Sequence, residues 1–378
     1  MNPGTAEALE IISGHVIDAR CPNSVEQVCH HGAERTGRQD GLHVFSRLGM
    51  RELFEHGSSV DESREYRNRG KVARQPQLLY DTHHMIETTG EAIWKITGMS
   101  KGPHMVIFGG VHGNELTGIE VVKKIREAIV SGDIVIDRGT LHLILGNPRA
   151  IERNTRGSAD HVDLNRCFKK DVLDQQDELY ERQRAKEIAQ ILATADISID
   201  LHAMNKPSVP FLCCAVTEAH EKIYQWLDCD RVLADPNYIL GGESVTTDEY
   251  IDLCGGVGIC YETGMAKDLN RIDEVMTDVL NILKDQQMIL SDALPTKKNT
   301  DARSIYELVH AINLTEAGFQ YADGRGAGSF EEFRMGDVIG YVGEDPLIAE
   351  FDGVIVFPKI PELQKLGKPL VYLAKRIK

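Results

Sequence analysis

One ten-residue stretch restricts this chain more than any other: Gly109-Gly110-Val111-His112-Gly113-Asn114-Glu115-Leu116-Thr117-Gly118. The apolar run Met105-Val106-Ile107-Phe108 ahead of it reads as a buried strand. Behind it, Leu116, Ile119, Val122, Ile125 and Ile129 recur at helical spacing. His112 and Glu115 therefore stand where a strand ends and a helix begins. The glycines let the turn take φ > 0 and keep side chains out of its way. An imidazole nitrogen and a carboxylate oxygen that can turn toward one point suit zinc. Two ligands do not complete a site, so a third must come from elsewhere in the chain.

At 378 residues the chain exceeds what one compact core usually holds, so two or three domains are expected. A formal net charge of -16 argues against a general nucleic-acid binder. It leaves room for an anionic small substrate, because a few local arginines can reverse the field inside a pocket. The eight cysteines form no C-x-x-C pair and read as reduced thiols of a cytoplasmic protein. The N-terminal stretch has no basic segment followed by an unbroken apolar core, so no signal peptide is expected. No apolar run approaches the roughly 20 residues that span a bilayer, so no membrane role is expected.

Residues 1–84 are sparse in apolar positions and read as an extension of unknown role. Its paired histidines, His30-His31 and His83-His84, read as exposed rather than as ligands. From residue 85 the pattern tightens. Strands are expected at 91–97, 105–108, 140–145, 197–201, 211–216 and 257–261, and helices at 116–130, 174–195, 218–227 and 271–290. Such alternation implies an α/β domain over 85–295, a mixed β-sheet flanked by helices on both faces. After Pro295 short strands separated by Gly, Pro and Asp imply a small all-β domain over 296–378. Gly324-Arg325-Gly326-Ala327-Gly328 is a poor dinucleotide signature, since no helix is expected after it, and reads as a surface loop.

Sheet enzymes gather ligands at the carboxyl ends of strands. His202 ends the expected strand 197–201 much as His112 follows its own, which makes it the best third ligand. His142, inside a strand, and His161, in a loop, compete with it. Two histidines and a glutamate with a position left for water form the pattern of a catalytic zinc, one ion per chain. Asp200 could orient a ligand from behind or could simply bind the loop. Glu262, the charged residue that terminates the apolar run 257–261, is placed to take a proton from an activated water.

Residues 147–156 carry Arg149, Arg153 and Arg156 and lead to Asp163-Leu164-Asn165-Arg166-Cys167-Phe168. Guanidinium groups grip carboxylates in pairs of hydrogen bonds and can stabilise an oxyanion. Arg149 and Arg153 read as surface residues. In order along the chain stand G-G-x-H-G-N-E-L-T-G, N-P-R-A with an arginine nine residues past its Asn, D-L-N-R-x-F, D-L-H and a strand-end Glu. This set resembles the aspartoacylase / succinylglutamate desuccinylase family, from about Ile93 to the C-terminus. The resemblance implies a zinc carboxypeptidase-like fold with a β-rich C-terminal domain. It implies hydrolysis of the amide of a small anionic N-acyl amino acid by metal-activated water. It also implies that His112, Glu115 and His202 hold zinc, that Arg156 polarises the amide carbonyl, and that Asn165 and Arg166 bind a substrate carboxylate. Glu262 would be the general base and then the proton donor to the leaving amine.

The chain departs from the aspartoacylases in three places. No arginine stands between Asn237 and Glu262, Ala203-Met204-Asn205 follows the D-L-H motif, and no tyrosine matches theirs after Val356-Phe357-Pro358. Two residues are inserted between Arg156 and D-L-N-R. The acyl group and the amino acid are therefore open, and so is self-association. The alternative is a zinc carboxypeptidase acting on short peptides, and a non-catalytic binding protein would lack the metal altogether. Serine chemistry is disfavoured because no G-x-S-x-G elbow is present.

Overall fold

The apolar run 105–108 lies inside a ten-residue strand at the middle of a large mixed sheet. The computed structural model describes residues 79–80, 84–158, 162–176, 178–240, 246–289 and 303–378. His30, His31, His83 and His161 lie outside the described residues, as does nearly all of the segment 1–84. In chain order the strands are β1 (Leu79–Tyr80), β2 (His84–Gly90), β3 (Ile93–Gly98), β4 (Ser100–Gly109), β5 (Arg138–Leu145), β6 (Ile197–Met204), β7 (Phe211–Cys213), β8 (Arg231–Ala234), β9 (Val257–Met265), β10 (Ser304–Asn313), β11 (Phe319–Tyr321), β12 (Glu331–Phe333), β13 (Val338–Val342), β14 (Asp345–Ile348), β15 (Gly353–Val356) and β16 (Pro369–Arg376). The α-helices are α1 (Leu116–Ser131), α2 (Pro148–Arg153), α3 (Lys170–Asp174), α4 (Tyr180–Leu192), α5 (Glu218–Tyr224), α6 (Thr247–Leu253) and α7 (Ile272–Asp285).

Among the described residues, thirteen strands form one sheet in the order β1-β2-β3-β5-β4-β6-β9-β7-β8-β10-β16-β15-β12. β5, β4, β6 and β9 are mutually parallel, and their registers align Leu145, Gly109, Leu201 and Tyr261 in one row. That row is the rim on which the site is built. The chain passes from β4 through α1 to β5 on one side, then returns to β6 on the other, so the strand order reverses at β4. Open sheets form a ligand crevice at such a reversal, outside the carboxyl ends of the strands. β10 joins the sheet by parallel pairing with β8, and β16, β15 and β12 follow by antiparallel pairing. β11, β13 and β14 make a separate antiparallel sheet.

Both faces of the parallel strands are covered, which is why β4 reads as a continuous apolar run. Met105 and Ile107 face a layer with Ile119, Val122 and Ile125 of α1 and Val279 of α7. Val106 and Phe108 face the opposite layer with Ile188 and Leu192 of α4 and Ile251 of α6. Truncating Phe108 to alanine would cost about 3–5 kcal/mol, since its site is fully enclosed.

The helix expected over 174–195 is shorter, with only α4 (Tyr180–Leu192) inside that range and α3 ending at its first residue. Gln175 adopts an extended conformation (φ -73, ψ 143) that ends α3, and α4 starts at Tyr180. Strand β9 runs past Tyr261 to Met265. Two short elements, β8 and α6, carried too few residues to show a period. No helix among the described residues is long and apolar enough to cross a membrane.

Candidate metal centre and active site

The turn after β4 is forced by close packing. Gly110 has φ +69, and a Cβ on Gly113 would lie 2.0 Å from the carbonyl carbon of Ala150. Only glycine tolerates both demands. Glu115 is the residue ahead of α1, yet its carboxylate does not cap that helix. It turns to the histidines instead. Its Oε1 is 2.9 Å from His112 Nδ1 and its Oε2 is 2.9 Å from His202 Nδ1, and the Ala203 N–H donates to Oε2 at 3.0 Å. One donor atom from each of His112, Glu115 and His202 falls within 4.8 Å of the others, and all three residues are buried.

This donor set fits one divalent ion. Two imidazole nitrogens and a carboxylate oxygen converge, and the far nitrogen of each ring meets an aspartate. His112 Nε2 is 3.0 Å from Asp163 Oδ1, and His202 Nε2 is 3.0 Å from Asp200 Oδ2. Such acids fix the ring orientation and raise the basicity of the nitrogen that faces the metal. Burial would raise the Glu115 carboxyl, but the charges of His112 and His202 outweigh it and hold it well below the usual range.

Glu262 lies directly across from His202 in the β6–β9 register, and Thr263 beside it donates to the His202 carbonyl at 2.8 Å. The Glu262 side chain is buried, with Oε2 unpartnered. Burial, and then the neighbouring Glu115 charge, push its carboxyl up to about 7.

The arginine loop is braced from below. Asn147 caps α2 by accepting from Ala150 N at 3.0 Å, and buried Glu181 of α4 accepts from Ser158 N at 2.9 Å. Arg149 stacks on the Tyr180 ring at 3.9 Å and Arg153 donates to the Ser158 carbonyl, so neither enters the site. Arg156 does. It donates to Asp163 Oδ2 at 2.8 and 3.1 Å and stands 3.7 Å from Glu115 Oε1. Asp163 also caps the short turn Leu164–Arg166 by accepting from Asn165 N. Asn165 Oδ1 accepts from Thr247 N at 3.1 Å, which leaves its amide nitrogen to donate elsewhere. Arg166 donates to the Asn165 carbonyl at 2.8 Å.

One cavity of 780 Å³ is lined by His112, Glu115, His202, Arg156, Asn165, Arg166 and Glu262 together. His142 opens instead on a second cavity and hydrogen-bonds to His104 at 2.8 Å, away from the metal ligands. The loop at 324–328 carries no helix after it; the N–H groups of Gly326 and Gly328 bind the Glu331 carboxylate at 2.6 and 2.7 Å. Three residues of the site escaped the sequence reading. Asp163 stood in the D-L-N-R motif without a role. Thr247 sits inside a T-x-x-E capping box that was legible. Lys359 arrives from the far end of the chain, where nothing local marked it.

Residues 101–284 match the family model described as the succinylglutamate desuccinylase/aspartoacylase catalytic domain. A succinylglutamate desuccinylase of Pseudoalteromonas atlantica is 27% identical over 282 residues, covering 67% of this chain and 76% of that one. The chain belongs to the succinylglutamate desuccinylase/aspartoacylase family. A probable aspartoacylase of Nostoc sp. is 39% identical over 113 residues, and there the match covers 28% of this chain and only 36% of the relative. The solved structure of a succinylglutamate desuccinylase from Vibrio parahaemolyticus superposes with a TM-score of 0.64 at 17% identity, covering 80% of this chain and 91% of that one. The mixed sheet described above is thus the fold of the family.

Proposed function

We propose that the protein is a zinc-dependent deacylase that hydrolyses the amide bond of an N-acyl amino acid. The observation that carries this reading is the convergence of His112, Glu115 and His202 on one buried point, at the floor of a cavity that also holds Arg156, Arg166 and Glu262. A zinc ion bound there would act as a Lewis acid and lower the pKa of a water to about 7. Glu262 takes the proton of the attacking water and passes it to the leaving amine. Its titration near neutrality suits both halves of that exchange. Arg156, beside Glu115, faces the amide carbonyl and stabilises the charge that grows on its oxygen. Such a contact contributes roughly 3 kcal/mol in the transition state. Asn165 and Arg166 hold the substrate carboxylate, and the cavity is large enough for a small acyl amino acid.

Elemental analysis of protein purified without chelator, together with a panel of N-acyl amino acids and dipeptides, tests the reading. Zinc near one equivalent with release of amino acids from the N-acyl compounds is expected. Cleavage of dipeptides alone would make the protein a carboxypeptidase, and absence of any bound metal would remove both activities.

A further inference from the structure

A second cavity of 440 Å³ lies on the α4 face of the sheet, where Lys95 of β3, His104 of β4, His142 of β5 and Glu187 of α4 line it. Lys95 and His142 stand directly across from each other in the β3–β5 register. His142 precedes Leu145 of the rim by three residues, roughly 10 Å along the strand. The hydrogen bonds of this cavity fix a tautomer. The Thr194 carbonyl, 2.9 Å from His104 Nδ1, can only accept, so that nitrogen carries a proton. Burial lowers His104. Burial, and then His104 and Lys95, push His142 down to about 4. Both rings are therefore neutral at pH 7. His104 Nε2 then accepts from His142 Nδ1 at 2.8 Å, which leaves His142 Nε2 as a bare lone pair. His142 is only 7% exposed, and no group among the described residues donates to that nitrogen. A buried acceptor left without a donor is costly, and a ligand that donates to it removes the cost.

The charges around that lone pair restrict the occupant. The Lys95 ammonium is 4.0 Å from Glu87 Oε2, a long and weak pair. Glu187 gives Oε2 to Arg184 at 2.6 Å and keeps Oε1 without a partner among the described residues. An anion alone would meet the His142 lone pair and the Glu187 carboxylate. A cation alone would meet the Lys95 ammonium. A divalent metal would find one free imidazole nitrogen, and among the described residues the cluster of three ligands is His112, Glu115 and His202 in the other cavity. An occupant that satisfies all three groups carries a negative charge at one end and N–H donors at the other.

We propose that this cavity is a second ligand site that binds a free α-amino acid as its zwitterion, the carboxylate on Lys95 and the ammonium on His142 Nε2 and Glu187. The volume suits that class, near the lower end of the roughly 300–1,000 Å³ of small-molecule pockets. The site stands apart from the metal centre and does not depend on the deacylase reading, whose product would be a ligand of this class.

Titration calorimetry of the zinc-loaded full chain tests this, with glycine, L-alanine and L-glutamate as probes and acetate and methylammonium as the two halves of the zwitterion. At least one amino acid should bind saturably, and roughly tenfold or more tightly than either half. Lys95→Gln should weaken that binding by roughly tenfold or more, the size expected of a hydrogen bond between charged groups, and Lys95→Arg should restore it. Lys95 is half-exposed, so its replacement leaves the packing intact. Arg166→Ala alters the metal cavity instead and should leave the binding unchanged. Binding lost in Arg166→Ala and unmoved in Lys95→Gln would put the amino acid in the metal cavity and overturn the proposal. Acetate that binds as tightly as the amino acids would reduce the cavity to an anion site and overturn it too. So would the absence of saturable binding by all three amino acids. The deacylase reading is decided separately by the panel of N-acyl compounds.

Discussion

Asp163 places one carboxylate oxygen 3.0 Å from His112 Nε2 and the other 2.8 Å from Arg156. His112 and Arg156 thus share one acid. In Asp163→Asn one of those two donors meets an amide NH₂ instead of an acceptor. The metal dissociation constant is expected to rise by about 10–100-fold, the usual effect of losing an acid behind a ligating histidine. Competition with a chromophoric chelator measures it. An unchanged affinity would restrict Asp163 to capping the turn that carries Asn165.

Glu262 separates proton transfer from metal binding. It faces His202 across the β6–β9 pair but is not one of the three converging ligands. Glu262→Gln keeps the shape and removes the base, so kcat should fall by about 10²–10⁴-fold with the metal content intact. Steady-state kinetics beside metal analysis of the same preparation decides this. Metal loss in the variant would move Glu262 among the ligands.

The parts of the site legible in the sequence are those at the ends of periodic elements. His112, His202 and Glu262 each break an apolar run, and a polar residue at the end of a buried strand is visible without any contact map. The parts that were not legible depend on pairing across the chain. Asp163 reaches His112 over 51 positions. Helix α6 has 7 residues, about two turns and too few to show a period, and its capping box, the one local signal it carries, went unread. The strands after Pro295 look alike in sequence whether they close on themselves or join a larger sheet. The β10–β8 pairing that links them to the main sheet leaves no local mark.

Thr247 joins the two halves of the site. Its N–H donates to Asn165 Oδ1 at 3.1 Å and its hydroxyl donates to Asp200, which backs His202. Thr247→Val keeps the shape and the N–H but leaves Asp200 without that donor, in a fully buried place. A loss of about 1–3 kcal/mol in stability is expected. Metal affinity should weaken about tenfold with little change in KM, and Thr247→Ser should restore both. Thermal melting and metal titration report the two effects separately. A rise in KM at constant metal affinity would mean that Thr247 acts through Asn165 instead.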